Sequence, residues 1–174
     1  MKNSLIAATV LSVVLSSTAF AAPTNGDGKV NFTGSITDTT CEVDTDSLNQ
    51  TVDLGNVSKS SLATAGSTTG AKKFTLVLSS CPESVTSAKV RFDGIQVPGD
   101  NSLLALTEGE DTAENVGIQI ADANNNVINL FQDSAAYALT TGVNNLSFTA
   151  RYYAISDAVT VGDANAVTEF TIIY

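Results

Sequence analysis

Cys41 and Cys81 are the only thiols in the 174-residue sequence, and histidine is absent. Without imidazole there is no Ser-His-Asp or Cys-His catalytic set, and no His-based zinc or haem site. Two cysteines with no other soft ligand make a poor metal centre. An even count behind an export leader points instead to one disulfide formed in an oxidising compartment. That bridge closes a loop of about 40 residues, worth roughly 4 kcal/mol in the chain-entropy view. Glu108, Glu110, Asp111 and Glu114 are acids of the kind that pair in glycosidases, but in a Gly/Thr-rich stretch they read as a solvated loop. Asp44–Thr45–Asp46 offers two calcium-type carboxylates without the remaining ligand pattern. The Asn-x-Ser/Thr triplets at Asn31, Asn49, Asn56 and Asn145 would carry sugar only in a eukaryotic secretory route. The residues therefore name no catalytic group, metal or cofactor, and the chain is not expected to be an enzyme.

Charge and composition narrow the class further. Eight Lys+Arg against 18 Asp+Glu give a net charge of −10 and a pI near 4.1, which repels a phosphate backbone and argues against nucleic-acid binding. Only 15% of residues are charged and 43% are hydrophobic, so a folded domain is expected rather than a disordered chain. Lys2 precedes an eleven-residue apolar run, Leu5–Leu15, and Ala19–Phe20–Ala21 follows. The run is too short to span a bilayer, and the small-x-small pattern is that of a secretory signal cut between Ala21 and Ala22. No later run is long and apolar enough for a span, so no direct membrane insertion is expected.

The rest of the chain is written in strands. Period-two and continuous β-type runs recur between Gly, Asn, Asp and Ser clusters, and no sustained 3.6-residue stripe competes with them. The runs are Lys29–Ile36, Cys41–Val43, Thr51–Leu54, Lys73–Ser79, Lys89–Phe92, Asn115–Ala121, Val127–Leu130, Asn145–Ile155 and Val167–Tyr174. Asp122–Asn126 reads as a hairpin turn. Helix is expected only in short pieces, for example Lys59–Ala65 or Leu104–Glu108. About nine short strands with one bridge predict a β-sandwich of immunoglobulin-like type. Its two ends are complementary: an alternating strand hangs from the Gly/Asn-rich arm Ala22–Gly28, and the sequence stops inside a strand. The front strand either completes its own domain or reaches elsewhere, and the residues alone leave both open.

The order of these segments resembles the type 1-like pilins assembled by the chaperone–usher pathway. The resemblance spans nearly the whole chain after the leader. It runs through Gly28-x-Val30-x-Phe32-x-Gly34, Cys41, Thr51–Val52–Asp53–Leu54–Gly55 and Ser61–Leu62–Ala63. It continues through Phe74–Leu78 into Cys81, then Asn115–Ile120, Phe148–Tyr152 and the C-terminal Phe-x-Ile-x-Tyr. The resemblance implies an all-β, incomplete immunoglobulin-like sandwich lacking its last strand, with an N-terminal donor-strand extension. It implies residues 1–21 as signal peptide, 22–36 as the extension and 37–174 as the pilin domain. Val30, Phe32, Gly34 and Ile36 would form the donor face, entering the groove of a neighbouring subunit by β-strand addition, for which pilins are a known example. Phe170, Ile172 and Tyr174 would line the acceptor groove and be read by a periplasmic chaperone before an outer-membrane usher passes the subunit to a cell-surface fimbria. One departure concerns that contact: the family aromatic usually stands next to last, whereas Tyr174 is the last residue.

A tip adaptor or small glycan-binding adhesin is the other reading. Sugar sites need aromatic platforms, and the remaining candidates are Tyr137, Tyr152 and Tyr153. The last two are adjacent on a strand, so at least one must face the core.

Overall fold

The computed structural model describes residues 30–34, 36 and 40–174. The chain divides into two units, Met1–Ile36 and Thr37–Tyr174. The second begins with β1 (Glu42–Val43), a single helical turn α1 (Thr45–Leu48) and, after a 3₁₀ turn at Lys59–Leu62, the long strand β2 (Thr68–Cys81). Strands β3 (Ser87–Gly94), β4 (Gln96–Val97), β5 (Asp100–Leu104) and β6 (Val116–Asp122) follow. The unit closes with β7 (Tyr137–Ala138), β8 (Gly142–Ala154) and β9 (Thr168–Ile173).

Two sheets result, ordered β1-β2-β8-β6-β5-β4 and β7-β3-β9, with every ladder antiparallel. Alternation decides which face of each strand is inside. In β8 every second residue from Asn144 to Ala154 is buried, and in β3 Ala88, Val90 and Phe92 are buried between more exposed neighbours. β6 is buried along its whole length. Aromatic rings join the layers: Phe92 of the small sheet meets Phe148 of the large one edge-on at 5.2 Å, and Phe74 stacks on Phe148 at 5.4 Å. Such contacts add about 0.5–1.5 kcal/mol beyond area burial. The Cys41–Cys81 disulfide is formed and ties the start of the unit to the end of β2.

The fold is all-β, an immunoglobulin-like sandwich that is incomplete: among the described residues its small sheet stops at β9, which has one neighbour only. Four sequence expectations change in detail. Val127–Leu130 is not a strand. It makes one bridge to Ala121, then spends its N–H groups on Ile120, Asn101 and, at Phe131, Phe92. A segment crossing between sheets cannot hold one ladder. Leu104–Glu108 is not helical: Leu104 ends β5, and it and Leu106 are buried. The Lys59–Ala65 piece shrinks to the 3₁₀ turn, capped by Ser58. Thr51–Leu54 joins no sheet among the described residues. Asp44, whose pairing with Asp46 lacked a calcium-ligand pattern, caps α1 by accepting from the Asp46 N–H at 3.1 Å.

Candidate functional site

The segment 51–57 has the side-chain alternation of a strand without the ladder of one. Val52, Leu54 and Val57 are half-buried against the core, while Thr51, Asp53, Gly55 and Asn56 are exposed. Among the described residues no main-chain hydrogen bond joins 51–57 to another segment. One N–H is met locally: Gly55 donates to Asp53 Oδ1 at 2.8 Å. Glycine at position 70 lets this segment lie close to β2. Gly70 sits at a bulge of β2 with φ +66°, and a Cβ there would stand 3.1 Å from Leu54 O, Tyr152 Cδ2 and Val57 Cγ1. Only glycine is free of cost at such a conformation.

Across from this wall runs β9 with its preceding loop. Between them lies a groove of about 1080 Å³, walled by residues 47–57 and 162–170. Its floor is apolar core: Phe74, Leu76, Phe92, Ile118, Ile120 and Tyr152. Carboxylates of Asp53, Asp163 and Glu169 stand on its walls. A second cavity of about 180 Å³ shares Val57, Tyr152, Gly162 and Ala164 with the groove. Tyr152 stands at that junction and donates its hydroxyl to Ala164 O at 3.2 Å. Burial raises the pKa of that hydroxyl, and the Asp53 charge raises it further. Among the described residues the groove therefore has unladdered backbone along 51–57 and along the outer edge of β9, with an apolar floor between. Such a site suits an extended peptide with alternate large apolar side chains.

Of the residues singled out in the sequence, Phe170 walls the groove and faces Phe92 across the ladder. Ile172 lies opposite Val90 and packs on the core, outside the groove lining. Tyr174 is also outside it and donates its hydroxyl to Cys41 O at 3.2 Å, and burial raises its pKa. Val30, Phe32 and Ile36 are exposed, Phe32 by 92%, and no heavy atom lies within 4 Å of a Cβ built on Gly34. Ala21 and Ala22, where signal cleavage is expected, lie outside the described residues. Among the tyrosines, Tyr152 is buried while Tyr137 and Tyr153 are half-buried. Burial, and then the Asp122 charge, push the Tyr137 hydroxyl up to about 12. Glu108, Glu110, Asp111 and Glu114 are exposed on a loop.

Sequence reasoning missed the second wall. It took Thr51–Leu54 for an ordinary strand, and the available signal was the Val52, Leu54, Val57 spacing broken at Gly55. It also missed Tyr152 as part of the site, because adjacency to Tyr153 shows only that one of the pair faces inward.

A family model described as "Fimbrial protein" matches residues 30–174. Long polar fimbria protein A of Salmonella typhimurium is 37% identical over 175 residues, covering all of this chain and 97% of that protein. The type-1 fimbrial protein A chain of Escherichia coli is 40% identical over 184 residues, covering all of both. Among solved structures, the P pilus rod subunit PapA superposes with a TM-score of 0.66 at 26% identity, over 78% of this chain and 99% of that one. A chaperone–usher pilus rod subunit gives the same TM-score at 30% identity, over 88% and 99%.

Proposed function

This chain belongs to the fimbrial protein family, and from that premise we propose that it polymerises by lending residues 22–36 to the groove of a neighbouring copy. It is a structural subunit of a fimbria, not an enzyme. The observation that carries the polymerisation reading is the pair of facing, unladdered walls: 51–57 on one side and the free edge of β9 on the other, over an apolar floor. One added strand would pair with both walls and finish the small sheet. Val30, Phe32 and Ile36 alternate as such a strand requires and are exposed. Burying these three side chains is worth on the order of 5–9 kcal/mol before ordering costs. Gly34, without a side chain, would leave room for close backbone approach.

The same groove and β9, with Phe170, Ile172 and Tyr174, are the surface on which a periplasmic chaperone would hold the subunit before an outer-membrane usher exchanges it. An exported precursor cut between Ala21 and Ala22 would supply that route. Donor and acceptor are different surfaces of one chain, so the contact is heterologous and open, and it propagates as a filament on the cell surface. The direct test is deletion of residues 22–36 in cells that otherwise display filaments. Electron microscopy should then show bare cells, and normal filaments from the shortened subunit would refute strand lending.

A further inference from the structure

We propose that the outer face of the large sheet binds an acidic sugar, its carboxylate on Arg151, its charge shared with Lys73 and its ring against Tyr153. This role is separate from subunit joining and needs only the filament, not the way its copies are linked. The chain has 18 acids against 8 basic residues, yet β2 and β8 hold Lys72, Lys73 and Arg151 and no acid. Asp122, at the end of the adjoining β6, stands opposite Phe148. The Phe148 ring is buried between the sheets, so Asp122 belongs to the inner side. Glu42 of β1 stands opposite Ser79, about 20 Å along β2 from Lys73. An acidic molecule thus turns one positive face to solvent.

Side chains alternate along β8, and Phe148, Ala150 and Tyr152 are buried, so Thr149, Arg151 and Tyr153 share the outer face. Gln119 is the ladder partner of Arg151, and its Oε1 accepts from Arg151 Nε and Nη2 at 3.0 and 2.7 Å. Asn125 Oδ1 accepts from Nη1 at 2.7 Å. These amide oxygens fix the guanidinium without neutralising it. Three of its five N–H groups are used, which leaves one on each terminal nitrogen for a ligand. Among the described residues, ion pairs join Lys89 and Arg91 to Asp133, and none takes Arg151 or Lys73. Lys73 is exposed and stands opposite Thr149, which makes it a diagonal neighbour of Arg151 at ~7–8 Å, within reach of long side chains. A planar cation held in place by neutral groups is suited to a carboxylate.

The rest of the face favours a sugar acid over an acidic protein. Tyr153 is the one aromatic side chain that β2 and β8 turn outward, and Ser147 and Thr149 add hydroxyls on the same side. None of the large exposed apolar side chains falls between Ser147 and Tyr153, so the apolar centre of a protein interface is missing. Each copy in a fimbria carries the face once, and many weak sites on one filament add up as avidity.

The test passes purified filaments of the full-length chain over four immobilised probes: sialyllactose, a glucuronate-bearing hyaluronan fragment, neutral lactose and polyglutamate. Wild type should be retained on at least one acidic sugar and pass over lactose and polyglutamate. Which sugar retains it tells a sialic from a uronic carboxylate. Arg151→Gln should weaken retention about tenfold, and Lys73→Gln and Tyr153→Ala should weaken it several-fold, all in filaments of normal length by electron microscopy. Because Arg151→Gln also loosens the 122–126 turn, the exposed Lys73 supplies the variant that leaves the fold alone. Passage over both acidic sugars, equal retention on lactose or polyglutamate, or undiminished retention of Lys73→Gln filaments would each overturn the site. Strand lending stands apart from all of these outcomes, since its own test asks whether filaments form at all.

Discussion

Asp122 shows how much one side chain can hold. It ends β6 and is buried, yet it accepts from the Asn124 and Asn126 N–H groups at 2.8 Å and from the Asn126 side chain at 2.9 Å. Burial works against its charge, but these hydrogen bonds outweigh it and hold the carboxyl below its ordinary 3.8. The sign follows from linkage: a depressed native value gives stability that is complete above the unfolded value and is lost as pH falls through the native one. Asp122→Asn should therefore cost about 1–3 kcal/mol at neutral pH. Thermal melts between about pH 6 and pH 2 should show the gap between wild type and variant closing on the acid side. A gap that stays constant to the lowest pH would disprove the assignment. The turn itself was legible in the Asp-Ala-Asn-Asn-Asn run, because such residues bond their own backbone. The charge that organises it was not, since composition does not reveal which of 18 acids is buried.

At the scale of elements, the strands that read most clearly are those with one wet and one dry face. β2, β3, β8 and β9 carry the alternation of the sequence, and so do their registers, with Phe74 opposite Phe148 and Phe92 opposite Phe170. The short pieces were hidden for a physical reason. β4 and β5 are too brief to show a period, and α1 is one turn whose only marker is its Asp44 cap. The 51–57 wall was legible as a strand and illegible as an edge, because pairing depends on what lies beside it. Gly70 controls how close that wall comes. Replacing it with alanine asks for a left-handed φ and inserts a methyl 3.1 Å from Leu54 O and two side chains. Gly70→Ala should lower stability by about 1 kcal/mol or more and push 54–57 off β2. Melts of the purified subunit and a filament count on cells should both fall. Unchanged values in both would mean that the close approach has no consequence for the groove.

For the whole molecule, the proposed strand lending has one consequence: lending and receiving are separate. A copy with a ruined donor face keeps its groove, so it can still receive a strand from the next subunit, but it has nothing to give the previous one. Such a copy fits only at the end of a filament where no donation is asked of it. Phe32→Asp is the suitable change: Phe32 is 92% exposed before assembly, so the substitution leaves the folded unit alone and places a charge where burial would follow, at a cost of several kcal/mol. Co-expressed with wild type and marked with an epitope, the variant should appear at one terminus of each filament. Mean filament length should fall as its share rises, roughly in inverse proportion, since every variant copy begins a new polymer. Immunogold labelling along the length would show that the variant both gives and receives, and that polymerisation does not run through residue 32. The sequence shows an alternating strand at the front and another strand at the back, but whether the front one pairs within its own domain is not legible in the residues alone. The groove proposed to receive the front strand is a property of the folded sandwich, assembled from residues as far apart as Val52, Tyr152 and Phe170.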